Sequence, residues 1–223
     1  DKFIPRGSIV IHLAGITQNY LCKNDPLKAI DVNLRGTVNL IKAAEKKNVK
    51  KFIFASSEWI YGETKNNVSI SERNKIEIDK IKSEYALTKI YGENFLGLSN
   101  LIKTKIILRF GIIFGERKGK NISALESLFH AVKLKKIIQV GSKKTARRFI
   151  HVRDIAKAIY LASRHNKSEV FNITGDKLIT LEQIIKRTAF QLKKKVKIHQ
   201  MPNSNANIRN IVNTKAKKKL KWK

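Results

Sequence analysis

Cysteine, proline and long apolar runs are scarce in this sequence, and each scarcity excludes a class of protein. The single cysteine, Cys22, rules out an intramolecular disulfide and is in keeping with the reducing cytoplasm. No apolar stretch is long enough to cross a bilayer, and the N-terminus lacks the pattern of a signal peptide. Three prolines and 11 glycines leave no flexible linker. We therefore expect a globular cytoplasmic protein without membrane insertion.

Acidic residues are also few, with 17 Asp and Glu against 47 Lys and Arg, and the formal net charge is +30. Such a charge suggests nucleic-acid binding, because Lys and Arg release counterions from a phosphate backbone. The basic residues are scattered through every segment, although Lys215 to Lys223 is dense, and no RNA-binding motif or zinc-finger spacing accompanies them. The five histidines show no metal-ligand spacing. We expect neither nucleic acid nor metal as a partner, and a non-catalytic basic binding protein is the least favoured alternative.

Apolar patterning predicts strands that alternate with helices. We expect strands over 9–14, 51–56 and 104–110, and helices over about 26–47 and about 79–98. This alternation is typical of an α/β protein whose parallel sheet is covered by helices.

Tyr85 and Lys89 form the most informative pair of side chains. Because they are four residues apart in a predicted helix, they lie on one face, one turn from each other. An ammonium near a phenol favours the phenolate and lowers the phenol pKa from ~10 towards neutrality. Ser57 follows a buried apolar strand, and the carboxyl ends of parallel strands face the ligand crevice. The three residues predict a catalytic site with Tyr85 as general base.

Tyr61 and Lys65 share this spacing and form a competing pair. Tyr61 stands beside Gly62 in the turn that leaves the strand, and no helical pattern places Lys65 one turn above it. We therefore favour Tyr85 with Lys89.

Sequence motifs along almost the whole chain resemble those of the extended short-chain dehydrogenase/reductases, specifically the NAD-dependent nucleotide-sugar epimerases and dehydratases. The segments that carry the resemblance are Ile11–Gly15 (IHLAG), Val32–Thr37 (VNLRGT), Phe54–Gly62 (FASSEWIYG), Tyr85–Lys89 (YALTK), Leu108–Gly115 (LRFGIIFG), Gly141–Asp154, Phe171–Gly175 (FNITG), Arg209, Thr214–Ala216 and Leu220–Trp222. They occur in the order that the family shows, which makes the resemblance specific.

The resemblance implies a Rossmann-type, doubly wound parallel sheet with a smaller C-terminal substrate lobe. Residues 1–111 would form a partial NAD(P)-binding domain to which 147–176 return, and 112–146 with 177–223 would form the substrate lobe. The first strands and the G-x-x-G-x-x-G turn that holds the pyrophosphate do not occur in the sequence. We expect the chain to be N-terminally truncated, since Asp1 is not an initiator methionine.

The family pattern also implies roles for individual residues. Tyr85 would remove a proton from a sugar hydroxyl, Lys89 would lower the Tyr85 pKa and bind the nicotinamide ribose, and Ser57 would hydrogen-bond the reacting oxygen. The residues implied to contact NAD, or NADP, are Leu13, Ala14, Gly15, Asn33, Ser56, Tyr85, Lys89 and Phe110. Relatives are homodimers, so a homodimer is implied here.

The implied substrate is a nucleotide sugar. Arg147 and Arg209 suit its diphosphate, because a guanidinium fork pairs with two oxygens at once. Ile112 stands where many relatives have a substrate-contacting Asn, so the sugar and the nucleotide stay open.

Glu58 and Trp59 bear on the reaction class. Family dehydratases have an Asp–Glu acid–base pair at these positions, and an indole cannot abstract a proton. We therefore favour a UDP-glucose 4-epimerase-like reaction, with a 4-keto-sugar reductase second and a dehydratase third.

Overall fold

The computed structural model of the chain describes residues 2–64, 68–116 and 123–222. Its strands are β1 (Ile9–His12), β2 (Lys51–Ser57), β3 (Ser69–Ile70), β4 (Thr104–Phe110), β5 (Ile112–Phe114), β6 (Ile137–Val140), β7 (Ala146–Arg147), β8 (Phe149–His151), β9 (Glu169–Ile173), β10 (Ile179–Thr180), β11 (Lys197–Gln200) and β12 (Asn210–Ile211). Its α-helices are α1 (Asn19–Asn24), α2 (Pro26–Ala29), α3 (Gly36–Lys46), α4 (Glu84–Leu98), α5 (Ala124–Leu134), α6 (Val152–Arg164), α7 (Leu181–Gln191) and α8 (Thr214–Leu220). No helix within these ranges has the length and apolarity needed to cross a bilayer.

A four-stranded parallel sheet, in the order β1-β2-β4-β9, forms the centre of the larger part of the fold. All seven residues of β2 are buried, because helices cover both faces of the sheet. Phe52 and Phe54 pack on α3 and α4, whereas Ile53 packs on α6 and α8, as the two-residue period of a strand requires. The predicted α/β class with a Rossmann-type parallel sheet is therefore confirmed.

The helix predicted over 26–47 is divided into three parts. Helix α2 leads into a π-helix, Ile30–Arg35, and the chain returns to α-helical geometry only in α3. The wider turn coincides with Asn33, whose side-chain amide bonds to the backbone of another segment, and π-turns often mark functional positions. Periodicity alone does not reveal this change of helix type.

Two other element boundaries differ from the prediction. Strand β1 ends at His12 instead of residue 14, so that Leu13 and the residues after it lie in the loop above the sheet. Helix α4 begins at Glu84 instead of residue 79, because the Ser83 hydroxyl accepts a hydrogen bond from the Ala86 N–H at 3.2 Å and caps the helix there.

A second, smaller core lies between α5, α7 and the two-stranded parallel sheet β6–β11. Its buried members are Val132, Ile138, Val140, Ile185 and Ala189. Helix α5 starts at a capping box in which the Ser123 hydroxyl and the Glu126 carboxylate bond to each other's backbone.

Helix α8 falls within the predicted substrate lobe (177–223) but packs on the large sheet. Ala216, Leu220 and Trp222 belong to the same core cluster as Ile53, and the Trp222 indole donates to the Asp154 carbonyl at 3.0 Å. The apolar positions of α8 thus belong to the core of the large sheet.

Candidate active site

A cavity of about 500 Å³ opens at the carboxyl ends of β1, β2 and β4. The predicted site residues that line it are Leu13, Ser56, Ser57, Tyr85, Lys89 and Phe110. They come from separate segments of the sequence, and parallel strands bring them to one edge of the sheet. Ile112 also lines the cavity and presents an apolar side chain to it.

Ser57, Tyr85 and Lys89 face one another between the end of β2 and the first turns of α4. Ser57 accepts a hydrogen bond from the Trp59 N–H at 3.3 Å, and a further hydrogen bond joins its side chain to Tyr85. The Lys89 ammonium donates to the Ala55 carbonyl at 2.9 Å and lies 5.9 Å from the centroid of the Tyr85 ring. All three side chains are buried, so a reacting group in the cavity would meet them in a dry environment.

Burial perturbs the pKa of both members of the Tyr–Lys pair. It raises the pKa of Tyr85 to about 12, with the Ser57 hydrogen bond acting against it and Cys22 adding to it. It lowers the pKa of Lys89 to about 8, which Cys22 opposes. The prediction that Lys89 brings the Tyr85 pKa towards neutrality is wrong for this ligand-free chain, because desolvation disfavours the phenolate more than its neighbours favour it.

Gly15 lies where the loop after β1 meets α4. A Cβ atom at this position would stand 3.0 Å from Asn33 Oδ1 and 3.4 Å from Lys89 Nζ. Asn33 is completely buried: its Oδ1 accepts from the Ile16 N–H at 2.7 Å, and its Nδ2 donates to the Ile16 carbonyl at 2.9 Å and to Thr88 Oγ1 at 3.2 Å. Asn33 therefore holds the loop against α4. Ala14, which precedes Gly15 in this loop, is exposed.

Arg109 and Glu93 form a buried ion pair that the sequence analysis missed. Arg109 Nε and NH2 donate to the two Glu93 oxygens at 3.1 and 2.7 Å. Ser56, a predicted cofactor contact, turns its hydroxyl to Glu93 as well. Together with Ser56, the pair fixes α4 against β2 and β4, the elements that carry Ser57, Tyr85 and Lys89. The signal for it was a charged residue inside the apolar run Leu108–Phe110.

Tyr61 belongs to this same buried network. Its hydroxyl accepts from Arg109 NH1 at 2.9 Å and donates to Asn172 Oδ1 at 2.8 Å. Burial raises its pKa, with Arg109 acting against the shift. Both partners of the hydroxyl are protein groups, which marks Tyr61 as structural, and Lys65 lies outside the described residues.

Arg147 and Arg209 lie near enough to each other for their charges to interact. Arg209 lies with its guanidinium carbon 5.4 Å from the centroid of a Trp59 ring, and its NH2 donates to the Gly62 carbonyl at 3.0 Å. Arg147 is held by Asn207, whose Oδ1 accepts from NH2 at 3.0 Å. Because Trp59 lines the cavity, Arg209 lies next to one of its walls, and Arg147 lies near Arg209.

Comparisons with known proteins agree with this geometry. The profile of the NAD-dependent epimerase/dehydratase family matches residues 1–174. A putative UDP-glucose 4-epimerase of Methanocaldococcus jannaschii is 30% identical over 182 residues, which are 79% of this chain and 58% of the relative. A UDP-glucuronate 4-epimerase of Thermodesulfobacterium geofontis is 28% identical over 96% of this chain and 67% of its own length.

Solved structures show the same fold. The UDP-N-acetylglucosamine 4-epimerase of Methanobrevibacter ruminantium, in complex with UDP-N-acetylmuramic acid, aligns with a TM-score of 0.82 at 25% identity, over 97% of this chain and 71% of that one. The UDP-glucose 4-epimerase of Thermus thermophilus in complex with NAD aligns with a TM-score of 0.82 at 24% identity, over 100% of this chain and 73% of that one. The chain thus spans 58% of the length of the M. jannaschii relative. With its sequence profile and its fold in agreement, the chain belongs to the NAD-dependent epimerase/dehydratase family.

Proposed function

We propose that the intact protein is an NAD-dependent 4-epimerase of a nucleotide sugar. The observation that carries the proposal is the convergence of Ser57, Tyr85 and Lys89 on one cavity at the carboxyl edge of the sheet. Relatives named as 4-epimerases of UDP-glucose and UDP-glucuronate support it.

The residues present fit the nicotinamide half of NAD. The missing side chain of Gly15 leaves space beside Lys89, and Leu13 and Phe110 give the cavity apolar walls. In our proposal, Leu13, Gly15, Lys89 and Phe110 hold this half of the cofactor, while Asn33 and Ser56 act by positioning. When bound, NAD supplies the hydride acceptor and donor for the sugar carbon.

Tyr85 is the proposed proton carrier. Its hydroxyl, hydrogen-bonded to Ser57, takes the proton of the sugar hydroxyl and later returns it. With a pKa of about 12, the Tyr85 hydroxyl is protonated near neutral pH. The Lys89 ammonium, 5.9 Å from the centroid of the Tyr85 ring, favours the phenolate, and a positively charged cofactor held in the cavity would favour it further. Ser57 orients the oxygen that reacts.

Arg147 and Arg209 are the proposed diphosphate ligands. Arg209 is fixed over Trp59 and Arg147 is fixed by Asn207, so both guanidinium groups are ordered before a ligand arrives. Preorganised guanidinium forks pair well with phosphate oxygens.

The epimerase proposal is tested by the products that form. The intact protein, incubated with NAD and UDP-hexoses, should yield C4 epimers in the NMR spectrum with no net consumption of cofactor. A 4-keto-6-deoxy product would contradict the proposal in favour of a dehydratase, although Trp59 lacks the base that elimination needs. Stoichiometric oxidation of NADPH with a keto-sugar would instead identify a reductase.

We also propose a cytoplasmic homodimer. Helix α4 exposes Tyr91, Phe95 and Leu98, spaced so that they share one face, and Leu98 is 74% exposed. Leu98→Glu should convert the dimer to monomers in sedimentation experiments, and an unchanged sedimentation coefficient would contradict this interface. The buried free thiol of Cys22 fits a reducing compartment.

In our proposal, the two cores correspond to a cofactor-binding part and a substrate-binding part. The large sheet with α8 binds the cofactor, and the part built on α5, α7, β6 and β11 covers the sugar nucleotide.

A further inference from the structure

Glu58, the residue after Ser57, is the most unusual ionisable group in the described part of the chain. It has no exposed surface, and neither carboxylate oxygen has a hydrogen-bond partner among the described residues. A buried carboxylate without hydrogen bonds is costly, and proteins retain such groups where their protonation is used.

The charged groups that act on Glu58 come from two neighbouring segments. Arg209 precedes β12 and Arg147 ends β7, and both lower the Glu58 pKa, but burial outweighs them and raises it to about 7. Glu63 is exposed, and its negative charge also acts on Arg209, whose pKa it raises. The Arg209 Nε–H is itself buried and has no hydrogen-bond partner among the residues that the structure describes.

The two arginines also act on each other. Burial lowers the pKa of Arg147, and the Arg209 charge lowers it further, whereas Glu58 opposes both effects. Glu58 therefore supplies the negative charge that compensates the arginine pair while no ligand is bound. A diphosphate would supply the same charge from outside.

We propose that Glu58 is a proton-binding residue that controls the affinity of the Arg147–Arg209 pair for a diphosphate. Its carboxylate competes with the ligand for the two arginines, and ligand binding converts it to the neutral acid with uptake of one proton from solvent. This inference rests on the diphosphate site of the proposed function. Glu58 does not touch the reacting atoms, so it is a positioning residue that acts through the arginines.

The direction of the pH dependence follows from charge. A bound diphosphate brings negative charge close to Glu58, and like charge disfavours the carboxylate, so the complex holds a proton that the free protein has lost. Below pH 7 Glu58 is already neutral and the arginines are available to the ligand. Above pH 7 the affinity falls, by at most about tenfold per pH unit for one proton.

Calorimetric titration with UDP-glucose tests the proposal, because a diphosphate diester does not titrate near neutral pH. The Tyr85→Phe background prevents turnover. Between about pH 6 and about pH 8.5, affinity should fall roughly tenfold or more, and buffers of different ionisation enthalpy should reveal uptake of nearly one proton at the upper end.

Glu58→Gln in this background should bind with nearly the same affinity at every pH and without proton uptake. At about pH 8.5 the variant should bind UDP-glucose roughly tenfold more tightly than the Tyr85→Phe parent does. If Glu58 had only a structural role, Glu58→Gln would bind UDP-glucose more weakly than the parent or equally well. Glu63→Gln is the matched control, since it removes an exposed carboxylate that also acts on Arg209, and it should keep the pH dependence of the parent protein.

The outcomes separate this inference from the proposed function. If Arg147→Ala and Arg209→Ala leave the affinity for UDP-glucose unchanged, or if UDP-glucose does not bind, the result contradicts both the proposed diphosphate site and the inference about Glu58. If both arginine variants weaken binding but the parent protein takes up no proton, Glu58 does not control the site. That second result overturns the inference even where Glu58→Gln fails to fold.

Discussion

The Lys89 ammonium lies over the Tyr85 ring, 5.9 Å from its centroid, and donates to the Ala55 carbonyl at 2.9 Å. Burial moves the pKa values of the two groups in opposite directions, to about 8 for Lys89 and about 12 for Tyr85. Near neutral pH the ligand-free pair therefore consists of a charged lysine and a neutral tyrosine. The proposed chemistry needs a phenolate in the loaded site, and Lys89 is the protein's own source of the charge that favours it.

Lys89→Met should slow turnover and move the rising side of the pH–rate profile to higher pH, because the phenolate loses its cationic neighbour. The same variant should not lower the free energy of unfolding near neutral pH. The folded pKa of Lys89 lies below its ordinary value of 10.5, so keeping the ammonium charged in the folded protein costs stability at pH values below about 8. Methionine carries no charge and removes this cost. Turnover profiles and urea unfolding measure the two effects.

Lys82→Met is the control for that experiment, since Lys82 is exposed and its ammonium lies 3.5 Å from the exposed Glu63 carboxylate. It should leave both the profile and the stability unchanged. An unaltered pH profile in Lys89→Met would show that Lys89 does not tune Tyr85.

Arg109→Met should destabilise the fold by ~3–5 kcal/mol, because it leaves the Glu93 carboxylate buried and unpaired. The double variant Arg109→Met, Glu93→Leu should recover a large part of this loss, since no uncompensated charge remains. Urea unfolding of the single and double variants measures both values. A single variant as stable as the parent would contradict the role given to this ion pair.

Glu58→Gln should raise stability in a pH-dependent way. The folded pKa of Glu58, about 7, lies above its ordinary value of 4.5, so the parent protein loses stability as pH rises from about 4.5 to about 7, where the unfolded chain has released the proton and the folded protein keeps it. The melting temperature of the variant should be close to that of the parent at about pH 4 and exceed it at about pH 8.5. A difference that is equal at both pH values would mean that Glu58 does not titrate in this range.

Much of the fold was predictable because its signals are local. Strand β2 is a largely apolar run, as a strand buried on both faces must be, and the alternation of strands with helices predicted the parallel sheet. Ser57, Tyr85 and Lys89 were predicted from spacing and position alone, and the structure brings them to one cavity.

The remainder depends on contacts between distant segments. The change of helix type at Asn33 follows from its bonds to Ile16, and the Arg109–Glu93 pair joins residues of β4 and α4. The Tyr85 pKa was predicted in the wrong direction because spacing shows the charged neighbour but not the loss of solvent. Nothing in the sequence indicated that Glu58 is buried without a hydrogen-bond partner.

Tyrosine substitutions in the intact, NAD-loaded protein test the central claim most directly. Three Tyr→Phe variants, each lacking one hydroxyl, are compared for the rate of C4 epimerisation and for melting temperature. Tyr160→Phe is the neutral control, because Tyr160 is exposed and lies on α6, away from the cavity and from the proposed dimer face.

Tyr85→Phe should lose about 10²–10⁴-fold in turnover with little change in melting temperature, since the proton carrier is removed. Tyr61→Phe should stay within a few-fold of the parent rate but melt at a lower temperature, because its hydroxyl bonds to Arg109 and Asn172. The reverse result, with Tyr61→Phe inactive and Tyr85→Phe active, would contradict the assignment of the catalytic tyrosine.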